Sequence, residues 1–189
     1  MIELDSQLKT AIEARNLERV VQVLKEIKEF SDDELVISEK VSPGFTSACS
    51  LGFMEIIEVI LEDPQIDVNV AVKGANGLIA AIEGRQNGVA KRLLDCEKID
   101  LTANNSNAFE IACQRGYTDL IKMFLGSGRK LNLAPGLKSI TKLKRMSSVH
   151  LSLETVKEVE SLLESFQKDE EGTRKKIRID LGLQGFFSS

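Results

Sequence analysis

Residues 45–61, FTSACSLGFMEIIEVIL, contain an apolar anchor, an alanine three positions later, a glycine, and then a second apolar run. The same arrangement returns as LIAAIEGRQNGVAKRLL from Leu78 and as FEIACQRGYTDLIKMFL from Phe109. Phe45, Leu78 and Phe109 correspond, as do Ala48, Ala81 and Ala112, then Ile56, Val89 and Leu120, then the pairs Ile60-Leu61, Leu93-Leu94 and Phe124-Leu125. The steps are 33 and 31 residues. A fainter copy, LKTAIEARNLERVVQVL, stands 37 residues before Phe45, with Leu8, Ala11, Val20 and Val23-Leu24 in the same slots. A repeat of this period changes the meaning of every local feature, because one unit cannot bury its own apolar face and must stack on the next.

Each unit reads as two short helices. The anchor and the alanine share one face of the first helix, where a small side chain lets a neighbouring helix approach closely. The turn falls at Gly52, at Gly116, or at Gln86-Asn87, and the second helix places apolar residues three and four apart, as in Ile56, Ile57, Ile60 and Leu61. Ser6, Asn76 and Asn107 each precede the anchor by two residues and are expected to cap the first helix, Asn107 with Glu110 as a capping box. Pro43 takes that slot in the remaining unit, near a helix start where its missing N–H is no loss. The expected fold is all-α.

The period near 33, the helix-glycine-helix layout and the endings IDVNV, IDLTA and KLNLA resemble ankyrin repeats. The resemblance covers residues 43–134 well and 5–30 loosely. It implies a stack of about four units (5–30, 43–69, 76–103 and 107–134) within a repeat domain 1–134, followed by a helical C-terminal extension 135–189. It also implies protruding hairpins between units, and a protein partner bound by the hairpin tips and inner helices. The residues it places on the tips are Val72, Lys73, Ala75, Asn104 and Ser106. Those it places on the first-helix surface are Ser50, Leu51, Glu83, Gln114 and Arg115. The chain departs from the family in two ways. The Thr-Pro-Leu-His tetrapeptide is replaced by SQLK, PGFT, NGLI and NAFE, which removes a turn-stabilising hydrogen bond, and Arg15 and Arg85 stand where the turn glycine belongs.

Between the first two units, FSDDELVISEKVSPG reads as a solvated loop with LVI tucked against the stack. Past Asn132 the period is lost, and two further helices are expected. One runs through LKSITKLKRM; the other runs through LETVKEVESLLESF, is opened by Ser152 and carries Val156, Val159, Leu162, Leu163 and Phe166 on one stripe. Together they read as a cap on the last repeat. No acidic residue occurs from Leu120 through Leu153, whereas Lys122, Arg129, Lys130, Lys138, Lys142, Lys144 and Arg145 do. The simpler reading is pairing with the acidic helix that follows; the sharper one is a site for phosphate, phosphoinositide or RNA. In TRKKIRIDLGLQGFFSS, Ile177, Ile179 and Leu181 alternate with charges, a strand period, ahead of Phe186 and Phe187. That segment packs on its own body, joins a partner's sheet or inserts its phenylalanines into a groove.

Little in the chain suggests catalysis. His150 is the only histidine and has no cysteine or paired carboxylates at ligand spacing. GSGRK at Gly126 follows a helix, where glycine ends the element, whereas a phosphate loop precedes one. Cys49 and Cys113 sit among the small buried slots of the repeat, and Cys96 follows a second helix. An odd number of cysteines without close pairing, and an acidic start with no apolar core region, point to a reduced, cytoplasmic protein without a signal peptide or membrane span. A net charge of -4 and a pI near 5.3 give no global field for nucleic acid. The expectation is therefore a non-enzymatic protein-interaction module, monomeric on its own, with no cofactor or metal and with another protein as partner. The alternative is an adaptor for anionic ligands or membrane surfaces that uses the basic segment 129–145.

Overall fold

The computed structural model describes residues 4–70, 76–146 and 151–182, apart from the side chains of 104, 105 and 146. Among these residues there are eleven helices and no strand. They form two compact units, Met1–Asp100 and Leu101–Ser189.

The first unit holds three helical hairpins: α1 (Leu4–Glu13) with α2 (Leu17–Phe30), α3 (Glu34–Leu51) with α4 (Met54–Glu62), and α5 (Gly77–Glu83) with α6 (Asn87–Leu94). The first helices pack side by side, α1 on α3 and α3 on α5. Their anchors Leu8, Phe45 and Leu78 and their alanines Ala11, Ala48 and Ala81 are all buried. The close approach depends on a glycine directly ahead of the anchor. A Cβ on Gly44 would lie 2.8 Å from Ile12 Cδ1 and 3.1 Å from Leu8, and one on Gly77 would collide with the Phe45 ring and approach Cys49 Sγ to 3.0 Å. α3 and α5 thus each seat a bare backbone on the anchor, and on the residue four beyond it, of the helix before.

The four turns have one geometry. Arg15, Gly52, Arg85 and Gly116 adopt φ of 52°, 80°, 57° and 64°. After each, the next N–H reaches back five residues: Asn16 to Ala11 O (3.0 Å), Phe53 to Ala48 O (3.0 Å), Gln86 to Ala81 O (2.8 Å) and Tyr117 to Ala112 O (3.0 Å). This is the left-handed helix ending that glycine favours and other residues adopt under strain. The two arginines therefore keep the glycine backbone, and Arg15 additionally lays its guanidinium over the Phe53 ring at 4.5 Å.

Several expectations about helix starts are corrected. Asn76 caps α5, accepting from Ile79 N–H at 2.9 Å. Ser6 instead lies inside α1, and Asn107 lies inside α7 (Ala103–Arg115), whose N-cap position is Thr102. The segment read as a loop is helical: Asp33 accepts from Leu35 and Val36 N–H, and α3 runs from Glu34 with Pro43 inside it. Ile37 and Val41 bury a face of this added stretch, and that burial offsets the backbone hydrogen bond lost at the proline.

Buried serines tie the loops that end the units. Ser38 Oγ donates to Glu34 O (2.6 Å) and accepts from Asp67 N–H (2.8 Å), and Ser42 Oγ donates to Val70 O (2.7 Å). Asn69 then joins successive loops, accepting from Asp100 N–H (2.7 Å) and donating to Lys98 O (2.7 Å). On the second-helix side, Arg92 forms a two-pronged pair with Glu58, both contacts at 2.8 Å.

In the second unit α7 and α8 (Thr118–Gly126) form the fourth hairpin, with Phe109 edge-on to Phe124 at 5.5 Å. Sequence periodicity ends here, but the packing rule does not. α9 (Ala134–Met146) lies on α7 with Gly136 in the glycine seat, where a Cβ would stand 2.6 Å from Phe109 Cε1 and 2.9 Å from Cys113 Sγ. α10 (Leu153–Lys168), capped by Ser152, packs on α9 and α8 through Val156, Val159, Leu163 and Phe166.

The tail read as a strand is a helix, α11 (Glu170–Asp180), capped by Asp169 through Gly172 N–H. Of its alternating apolar residues Ile177 is buried and Ile179 is half exposed. Arg174 and Arg178 donate to Leu125 O and Gly126 O, unpaired carbonyls at the end of α8. Phe186 and Phe187 lie outside the described residues.

Two substitutions test this account by denaturant unfolding of the whole chain. Arg85→Gly should raise stability by about 0.5–1 kcal/mol, since left-handed backbone costs a non-glycine residue roughly 1–2 kcal/mol and part of the gain is lost to unfolded-state entropy. Gly136→Ala should lower it by about 1–3 kcal/mol through overpacking against Phe109.

Candidate functional site

With the anchor and the positions three and four beyond it spent on stacking, each first helix leaves its fifth position beyond the anchor on another face. That position is Glu13, Ser50, Glu83, Gln114 and Lys142 in α1, α3, α5, α7 and α9. Ser50 is half-buried and the other four are exposed. The buried slots of the repeats hold similar residues, while this outer position changes from acid to hydroxyl to amide to cation. A frame of constant geometry therefore carries side chains of differing chemistry.

Of the residues expected to bind a partner, Ser50 and Leu51 sit at the end of α3, with Leu51 46% exposed. Glu83 is exposed at the end of α5, and Gln114 and Arg115 are exposed at the end of α7. Ser106 is a correction. It is 0% exposed, has φ of 60°, and its Oγ accepts from Asn132 N–H at 3.1 Å, so it clamps the loop that closes its unit and presents no surface. The hairpin expected around it is absent because α7 already begins at Ala103. Asn104 falls in the first turn of that helix, and its side chain lies outside the described residues, as do Val72, Lys73 and Ala75.

Gln114 belongs to a polar cluster joining α7 to α9. Its Nε2 donates to Glu110 Oε1 at 3.0 Å and to Ser139 Oγ at 3.3 Å, and Ser139 Oγ donates to Glu110 Oε1 at 2.8 Å. The capping-box role expected of Glu110 gives way to this bridge. On the other side of α9, Lys144 pairs with Glu160 at 2.8 Å and Lys122 of α8 approaches Glu158 at 3.7 Å. The hydrogen bond and charge of Glu160 hold the Lys144 ammonium above its usual range, so it remains protonated. The pairing of basic and acidic helices read from sequence is present here.

Burial pushes the Cys49 thiol far up, and burial followed by the Glu110 carboxylate pushes Cys113 up to about 12. Neither forms thiolate near neutrality, whereas Cys96 is half-buried. Among the described residues no group of three histidine, cysteine, aspartate or glutamate side chains could hold a metal ion, and no helix is long and apolar enough to cross a membrane.

These hairpins, packed within each unit through their first helices and turning at left-handed residues, define a helical-repeat protein. Residues 45–134 match the family model of ankyrin repeats in three copies, and this part of the chain is an ankyrin repeat region. The first hairpin, α1 with α2, precedes the matched region yet shares its turn geometry. No curated protein and no solved structure matches the chain. Ankyrin repeats generally mediate protein–protein interaction.

The glycine seats and serine clamps were missed in the sequence, although the glycines were visible as PGF, NGL and PGL, each directly ahead of an anchor. With a thiol-reactive dye on the folded chain, one cysteine should label quickly and Cys96→Ser should abolish that label. Cys49 and Cys113 should react only after unfolding.

Proposed function

We propose that this chain is a non-enzymatic protein-interaction module that binds its partner along the exposed ends of its first helices. The observation that supports this reading is the outer position of each first helix, where unlike side chains stand on identically built hairpins. Ser50, Leu51, Glu83, Gln114 and Arg115 are the residues assigned to contact, and Val72, Lys73, Ala75 and Asn104 stay assigned through the family resemblance. Packed hairpins within each unit suit this work because little conformational entropy is lost there on binding.

The test is affinity capture at moderate salt with the wild-type chain and with Leu51→Asp/Glu83→Arg, whose positions are exposed and whose folding is checked by circular dichroism. A protein retained by wild type should be lost or weakened at least about tenfold by the variant, as when a central interface contact is removed. Capture unchanged by this variant and by Gln114→Glu/Arg115→Glu would overturn the reading.

A further inference from the structure

The basic segment separates into two faces once its helix is built. Lys144, on the side of α9 toward α10, is neutralised by Glu160. Lys138, Lys142 and Arg145 occupy the solvent side, and all three are exposed. Their spacing of four and three residues places them on one stripe of the helix. α7, packed on one flank, supplies a single carboxylate, Glu110, whose Oε1 is held by Ser139 and Gln114. The acids of α10 that reach α9 lie at the Lys144 edge. In a chain of net charge -4, this is a local cationic stripe whose three side chains have no ion-pair partner among the described residues.

Resting on the proposed interaction role, we infer that this stripe docks an acidic peptide segment in extended conformation. Along a helix, Lys138 and Lys142 are separated by about 6 Å and Lys142 and Arg145 by about 4.5 Å. Alternate side chains of an extended strand repeat every ~6.7 Å on one face, so acids at every second residue meet these cations in turn. A membrane surface fits less well, because among its described side chains the exposed face of α9 carries Thr141 between its cations and nothing apolar larger than Ala134 to insert. Nucleic acid fits less well for the same lack of stacking rings.

The experiment is fluorescence anisotropy of a short labelled peptide of alternating Glu and Ser, with full-length wild type, with Lys138→Glu/Lys142→Glu/Arg145→Glu, and with Lys144→Gln. Vesicles of phosphatidylcholine with phosphatidylserine and a short single-stranded oligonucleotide are run in parallel. The peptide should bind wild type and Lys144→Gln alike, weaken at least about tenfold in the triple variant, and weaken from low to physiological salt, as exposed charge pairs do. The inference is overturned if the peptide does not bind, if the triple variant binds it equally well, or if vesicles or oligonucleotide bind more tightly through the same three residues. The capture variant at Leu51 and Glu83 leaves α9 untouched. Failure of the peptide arm therefore removes only the acidic-segment assignment, while failure of capture removes the interaction-module reading.

Discussion

The contact between a bare backbone and the anchor of the preceding helix governs how these hairpins are spaced. Gly44 on Leu8 and Ile12, Gly77 on Phe45 and Cys49, and Gly136 on Phe109 and Cys113 are the same event at three places. Without a Cβ at that point the helices close until the anchor ring or branched side chain packs directly on peptide groups, and the alanine three residues on permits the same proximity one turn later. Any larger residue would wedge the pair apart and open voids around Phe45 or Phe109, which are almost completely buried.

Much else follows from fixing that distance. The turns must bring each second helix back behind its first within a few residues, and the left-handed ending does so whether glycine or arginine supplies it. The loops that close the units must lie back on the first helix of their own unit. In the absence of the family's histidine, Ser38, Ser42 and Ser106 hold them, each nearly inaccessible and each bonded to a loop backbone group. Such bonds matter because a buried N–H or C=O left unpaired is far more costly than the bond itself is stabilising.

The parts of the molecule open to a partner are those that stacking does not use. Side chains five residues beyond each anchor lie outside the buried slots, so they vary in charge, from Glu13 through Ser50, Glu83 and Gln114 to Lys142, with Ser50 half-buried and Gln114 also bonded to Ser139 of α9. The same division explains the basic segment: on the side of α9 toward α10 Lys144 acquires Glu160 as partner, and on the solvent side Lys138, Lys142 and Arg145 have no ion pair among the described residues.

The hairpins, their anchors and their alanines were legible in the sequence, because a periodic burial pattern repeats whenever one packing solution is repeated. The C-terminal helices were legible for the same reason, through the apolar stripe of α10 and its Ser152 cap. Three features were decided only by tertiary structure. The segment before Pro43 became helix because Ile37 and Val41 found a face to bury, which no local propensity announces. α11 became helix despite its alternating isoleucines because the carbonyls ending α8 and the seat of Ile177 lay within its reach. Ser106 moved from an expected tip to a buried clamp because the chain entered α7 five residues earlier than the period implies. Sequence alone thus determined which residues must be hidden, since hydrophobic periodicity is local; which polar residues serve them, and which stay free for a partner, depended on contacts between distant segments that only the folded chain brings together.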